Sequence, residues 1–355
     1  DQPRSRGLGD VYKRQTPDNL SKKGKLFKPR DAKLFKPRNS LGNTGGQFYT
    51  AKNPEYGAVF TYNLNDVPKT SKSLRMQRER RLNTDNKDIP FPGYDKLSDE
   101  MNEKPASIIH TIKDSDGNHI RNVKKNASNG SSRIAWNLRH QSYYPIRAGR
   151  GQVNSWFNPS GPYVTPGEYH AEIYLENNGS VEKLDGPIAF NVKPLRKGTL
   201  EGASYSEYNS FRTRVSNLYV AMSKYQDEFN MMKSKIELLD KASLQLETFS
   251  PEIMKKISDF KAKYNAFDSE IGSNPARDEI GEWYKPTISM RVQIAMQGLS
   301  TSYGPTDLNK SNLDIAERLF ENLATDVKEF KSELESLENE VKELNPPHLS
   351  GTGIN

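Results

Sequence analysis

"PGEYHAEIYLENNGSVEKLDGPIAFNV", residues 166–192, decides how the middle of this chain folds. Its first half alternates. Tyr169, Ala171, Ile173 and Leu175 fall on one face and His170, Glu172 and Tyr174 on the other, the period of two that marks a half-buried strand. Asn178-Gly179 then supplies two residues that tolerate positive φ, as a two-residue type I′ hairpin turn requires, and "SVEKL" returns as the partner strand. "IAFNV" ends the stretch with Ile188, Phe190 and Val192 on the core side.

The same pattern extends upstream. "SRIAWNL" (132–138) places Ile134, Trp136 and Leu138 on one face, and "ASIIHTI" (106–112) and "GAVFTYNL" (57–64) read as further strands. Asp116-Gly117 and Pro166-Gly167 mark turns between them. Short strands separated by turns predict a β-sandwich, immunoglobulin-like, over residues 51–197. An insertion at 68–105, rich in Arg and Lys and then in Pro and Asp, does not fit a strand and is expected to lie over one edge as a loop with a short helix. Upstream, "KLFKPR" occurs twice, at 25–30 and 33–38. Residues 16–50 are expected to be a basic linker or the end of an upstream domain; a phosphate-binding arm is the other reading, because Lys and Arg neutralise nucleic-acid backbone charge.

Downstream of Ser204 the period changes. Phe211, Val215, Leu218, Met222, Tyr225, Phe229, Met232, Ile236 and Leu239 are spaced alternately by four and three, a single seam along a long helix. Ser250-Pro251 starts a second helix, with Ile253, Ile257, Phe260, Tyr264, Phe267 and Ile271 on its seam. A shorter helix carries Ile288, Val292, Ala295 and Leu299. The last carries Phe320, Leu323, Val327, Phe330, Leu334, Leu337, Val341 and Leu344 before Pro346-Pro347 stops it. Four such seams predict an antiparallel four-helix bundle over 203–346, with a polar tail at 347–355. Continuous heptads also make intermolecular coiled coils, and that alternative stays open; aromatics and Met on the seam favour the intramolecular core. The expected fold class is therefore α+β and multidomain, a sandwich followed by a bundle.

The 355 residues suffice for two or three domains, and 34% hydrophobic against 27% charged residues suggests thin cores and long exposed helices. The formal charge of +7 is uneven, strongly basic before Arg81 and acidic along the last helix. With no cysteine, disulfides, thiol catalysis and thiolate metal sites are excluded. No apolar run approaches the ~20 residues of a membrane span. "SRGLGDVYKRQ" (5–15) reads as the in-frame translation of a transposase-based sequencing adapter, so residues 1–15 are set aside and native protein is expected to begin near Thr16, with its own N-terminus missing.

The residues offer little catalytic chemistry. His110, His119, His140, His170 and His348 are scattered, without HExxH or HxH spacing. "DSDGN" (114–118) resembles the start of a calcium loop, but its Gly comes two places early and Lys125 stands where a bidentate Glu should close the site, so a hairpin explains it better. "GNTGG" (42–46) lacks the Lys-Ser/Thr of a phosphate-binding loop. Glu317 and Glu321 sit one turn apart on a solvated helix face, with no apolar pocket to raise one pKa. Asn129 and Asn178 open "NGS" glycosylation signals, but each is expected at a hairpin turn. No catalytic residue, cofactor or metal is assigned. Trp156, Phe157 and Tyr163 are carbohydrate-contact candidates, since exposed aromatics stack on sugar rings, against the plainer reading that the loop "SWFNPSGPY" folds over the sandwich edge.

"GGQFYTAKNPEYGAVFTYNL" (45–64), "PASIIHTIKDSDGNHIRNV" (105–123), "RIAWNLRH" (133–140), "GPYVTPGEYHAEIYL" (161–175) and "GPIAFNVKPL" (186–195) together resemble the C-terminal part of bacterial sortilin-like proteins with BNR (Asp-box) repeats, often labelled glycosyl hydrolases. "PTISMRVQIAMQGLSTSYGPT" (286–306) continues the resemblance, and the middle region is also similar to the immunoglobulin-like domain that ends the flagellar hook-capping protein. The resemblance implies an upstream β-propeller as partner, a protein or glycan ligand, and an extracellular or envelope address. The chain contains no Ser-x-Asp-x-Gly-x-x-Trp box, so the family's functional residues have no positions to be carried onto. The expectation is a non-catalytic accessory module; a share in a glycoside hydrolase, through those aromatics, is the alternative, and nucleic-acid binding by the basic N-terminal half a third.

Overall fold

The computed structural model describes residues 16–37, 53–146, 161–196, 198–199 and 201–347. Residues 1–15, most of the tail, Trp156 and Phe157 lie outside them. Among the described residues the chain is a mixture of eight helices and two sheets. It divides into two compact units, Asp1–Gln141 with Ser160–Lys197, and Ser142–Pro159 with Gly198–Asn355.

The first unit carries the strands β1 (Gly24–Leu26), β2 (Ala32–Leu34), β3 (Ala58–Leu64), β4 (Ser107–Asp114), β5 (His119–Asn126), β6 (Gly130–Trp136), β7 (Gly167–Asn177) and β8 (Ser180–Pro194). One sheet has the order β1-β3-β6, the other β2-β8-β7-β4-β5. Neighbours are antiparallel except β2, which runs parallel to β8 with Ala32 opposite Val192. Leu26, Phe60 and Trp136 from the first sheet share one buried cluster with Ile108, Ile173 and Phe190 from the second. Phe190 meets the rings of Phe60 and Trp136 edge-on at 5.3 and 6.2 Å. Such pairs add specificity to the burial of large apolar surfaces.

The alternation in β7 is realised with one refinement: Tyr169, Ala171, Ile173 and Leu175 are buried, and so is Glu172 on the opposite face. Asn178 and Gly179 take positive φ, 47° and 85°, between the paired Asn177 and Ser180. In the β4–β5 turn the Asp114 carboxylate accepts from the backbone N–H of Asp116 and Asn118 at 3.0 and 2.8 Å, local bonds that make a hairpin. Asn129-Gly130 is different. It joins β5 to β6, which lie in different sheets, so it is a crossing point and not the expected hairpin turn.

Residues 16–37, the described part of 16–50, also depart from expectation. Each "KLFKPR" hexamer supplies a strand: Leu26 of the first pairs with Tyr62 in one sheet, and Leu34 of the second with Pro194 in the other. Leu26, Phe27, Pro29 and Ala32 are buried. The repeat thus belongs to the first unit rather than to a linker: both hexamers pair at sheet edges, and Leu26, Phe27 and Ala32 are buried, while Phe35 stays exposed. The insertion at 68–105 holds two helices, α2 (Ser71–Thr84) and α3 (Tyr94–Asn102), after the short α1 (Pro17–Ser21). Neither α2 nor α3 buries a residue. They are clipped by Arg75, whose Nε and Nη2 both donate to Glu100 at 2.7 Å.

The second unit contains α4 (Tyr205–Ser243), α5 (Pro251–Ile271), α6 (Pro275–Ile280), α7 (Ile288–Gly298) and α8 (Asp307–Glu343). Each starts on a side-chain cap, from Ser204, Ser250, Asn274, Thr287 and Thr306 respectively. Seam residues of α4, α5, α7 and α8 form a single buried cluster. Their directions differ from the expected four antiparallel legs. Ion pairs Glu207–Lys310, Arg214–Glu317, Glu228–Lys331 and Lys235–Glu338 advance together along α4 and α8, so these two helices are parallel and in fixed register. Lys256–Glu340 and Lys263–Glu333 advance in opposite senses, so α5 is antiparallel to α8. The same holds for α7, where Arg291 meets Asn312 and Ile294 meets Asn309. Hence α5 and α7 are two pieces of one return leg, interrupted at 272–287. Gly272, Pro275, Gly281 and Pro286 explain the interruption, since none favours an uninterrupted helix.

Candidate functional site

Of the three aromatic candidates, only Tyr163 is among the described residues. It pairs with Arg139 through an isolated β-bridge, which the flanking bonds His140 N–H to Pro162 O and Val164 N–H to Leu138 O extend. The Arg139 guanidinium lies 3.7 Å from the Tyr163 ring centre and donates to Gly161 O at 3.0 Å. Its carbonyl in turn accepts from the Trp136 indole at 2.9 Å. One face of Tyr163 is therefore taken by a cation, and Trp136 is wholly buried. Nearby, Phe35 stacks edge-on against Tyr56 at 4.8 Å. Burial, against the weaker bond from the Phe35 N–H, pushes the Tyr56 hydroxyl up to about 12. The arrangement leaves one face of the half-buried Tyr163 ring occupied by the Arg139 guanidinium.

On the five-stranded sheet a network of charges gathers around Glu172. Glu172 accepts from Lys183 Nζ at 2.6 Å and from the Tyr174 hydroxyl at 2.9 Å, and pairs with Lys113 Nζ at 2.9 Å. Burial acts to raise its pKa, but these donors prevail and bring it down from 4.5 to about 2. It is a fixed anion, not a proton donor. His110, inside the core, faces Tyr62 at 4.8 Å and Phe60 at 5.8 Å, and neither ring nitrogen has a hydrogen-bond partner among the described residues. Burial, with help from the Lys125 charge, lowers its pKa to about 4, so it is neutral near pH 7.

An open cleft of about 580 Å³ lies in the second unit, at the break between α5 and α7. Trp283, Glu270, Asn274, Arg277, Lys285 and Leu319 contribute to its walls. The turn that carries Trp283 is held on both sides. α6 ends at Gly281 in the left-handed region (φ 66°), Glu282 N–H donates to Arg277 O at 2.9 Å, and the Tyr284 hydroxyl donates to Asp278 at 2.7 Å. Trp283 is 81% exposed. Sequence reasoning passed over it because no motif surrounds it; the readable signal was a Trp between two helix breakers, Gly281 and Pro286.

No group of three or more His, Asp or Glu side chains placed to hold a metal ion occurs among the described residues. No helix among them is long and apolar enough to cross a membrane. No family model matches the chain, and neither a curated protein nor a solved structure matches it.

Proposed function

We propose that this chain is a non-catalytic structural and interaction module, an immunoglobulin-like sandwich followed by a helical bundle that acts as a stiff spacer. Two features support the sandwich reading. The first strand is split between sheets, its second part parallel to the last strand, and the Tyr169 hydroxyl at the start of β7 donates to Thr165 O at 2.7 Å, the corner bond of that fold. The spacer role rests on one observation, the ladder of ion pairs along α4 and α8. At 1.5 Å per residue these helices are each about 55 Å long, and a pair locked in one register holds its two ends at a set separation.

The resemblance to sortilin-like proteins with Asp-box repeats extends the proposal: the module follows a β-propeller and works in the envelope or extracellular space, where it supports that partner or presents a surface to a protein or glycan. The alternative, a share in a glycoside hydrolase through Trp156, Phe157 and Tyr163, is weakened by the guanidinium that covers Tyr163. Nucleic-acid binding by the basic N-terminal half is weakened too, because Lys25 pairs with Asp185 at 2.8 Å and the hexamers are built into the sheets. The test is catalytic. Incubated with α- and β-linked oligosaccharides, the purified chain should release no reducing ends; release that scales with protein concentration overturns the non-catalytic reading.

A further inference from the structure

An indole held in water by a rigid turn calls for an explanation that packing does not supply. The residues on either side of Trp283 are tied down, Glu282 by its N–H to Arg277 O and Tyr284 by its hydroxyl to Asp278, so the turn would persist with a small side chain at 283. The bundle core does not use the ring either, since Trp283 is absent from the buried cluster and from the side chains packed on it. What the ring does is form one wall of the cleft between α5 and α7.

The polar groups around that wall define the ligand. Arg277, Lys285 and the Asn274 amide N–H are donors; Ser269 and Glu270 are acceptors, while the Asn274 oxygen already takes the Arg277 backbone N–H that it caps. Arg277 has Glu282 as a counter-charge at 3.8 Å, and Glu270 offsets Lys285, so the rim has no dominant sign to draw a strong anion or cation. A flat apolar surface ringed by donors and acceptors of balanced charge matches a neutral molecule with one C–H face and hydroxyls at its edge. The cleft also opens to solvent, which suits a chain-like ligand passing across it better than an apolar side chain that must be desolvated.

We propose that the Trp283 cleft binds pyranose rings of an oligosaccharide, with the indole stacked on a sugar face and Glu270, Asn274 and Lys285 reaching its hydroxyls. This deepens the reading of the chain as an interaction module and rests on it in one respect: the saccharide is held and not cut.

The experiment is a tryptophan-fluorescence titration of the full chain with cellohexaose, maltohexaose and N-acetylchitohexaose, with reducing ends assayed in the same samples. A saturable change with at least one hexasaccharide is expected, lost in Trp283→Ala, retained in Trp156→Phe, and weakened several-fold in Glu270→Gln. The melting curve of Trp283→Ala should overlay that of the parent, because the side chain is exposed; if that variant misfolds, Glu270→Gln alone decides. No saturable response to any of the three, or a response that survives both Trp283→Ala and Glu270→Gln, overturns the proposal and leaves the indole as a contact for a protein. Binding with new reducing ends would instead sink the non-catalytic reading while leaving the site in place.

Discussion

His110 shows what a single buried residue does to the pH response of a fold. Its pKa falls from 6.5 to about 4 on folding, because the ring is buried between Phe60 and Tyr62 with no partner for its proton and with Lys125 adding repulsion. The unfolded chain therefore takes up a proton at higher pH than the folded chain does. Stability is fully present above pH 6.5 and declines as pH falls toward 4, by about 3 kcal/mol in all. Denaturant melts of the first unit at pH 7.5 and pH 4 should show this loss, and His110→Phe should remove most of it; an equal acid loss in the variant would refute the assignment. Glu172 contributes in a separate, lower window, since its pairs with Lys113 and Lys183 are lost only as pH drops from 4.5 through about 2. Tyr169→Phe, which deletes the bond to Thr165 O, should cost about 1 kcal/mol in the same melts.

Among the elements, α4 and α8 are specified by the order of charges along them. Read from their N-termini, the rungs are acid–base, base–acid, acid–base and base–acid, at positions 207, 214, 228 and 235 of α4. A slip by one heptad in one direction sets Glu207 against Glu317 and Glu228 against Glu338; in the other it sets Arg214 against Lys310 and Lys235 against Lys331. Like charges at those positions oppose both slips. At the skipped rung, where Ala221 and Ala324 stand, the Tyr225 hydroxyl reaches the α8 backbone at Leu323 O, 3.2 Å away. These pairs are partly exposed, so each should contribute only about 0.2–1 kcal/mol. Lys331→Glu should lose about that much, and the swap Glu228→Lys with Lys331→Glu should regain it. A double-mutant cycle without coupling would mean the register is set by the seam alone. Phe229→Ala, which removes a fully buried ring stacked on Tyr264 at 4.3 Å, should cost about 3–5 kcal/mol.

Across the whole molecule, the start of the folded region matters most. A chain beginning at Gly42 would keep the stretch that alternates so plainly, 166–192, yet lose β1 and β2, and with them Leu26, Phe27 and Ala32 from the core. It should melt broadly or aggregate through the uncovered edges of β3 and β8, whereas a chain beginning at Thr16 should melt cooperatively. Calorimetry of the two distinguishes these outcomes, and equal melts would show the first two strands to be dispensable.

The sequence by itself determined the elements that repeat a period: β7 and β8 with their Asn178-Gly179 turn, and the seams of α4, α5, α7 and α8, although Met222, Tyr225, Phe260, Phe267, Phe320 and Leu344 on those seams are only half-buried and Leu313 and Ala316 join the core unannounced. It did so because burial on one face of a strand or helix imposes a local pattern of two or three and a half residues. Only the tertiary structure decided what those elements meet. The short "KLFKPR" strands have too few residues to show a period, and become strands because β3 and β8 offer unpaired edges. The parallel course of α4 and α8 follows from a return leg broken in two, and a broken leg has the same seams as two separate ones. Trp283 gains its interest from the cleft beside it, and Tyr163 has a cation over one face of its ring. Both are long-range encounters that no local spacing encodes.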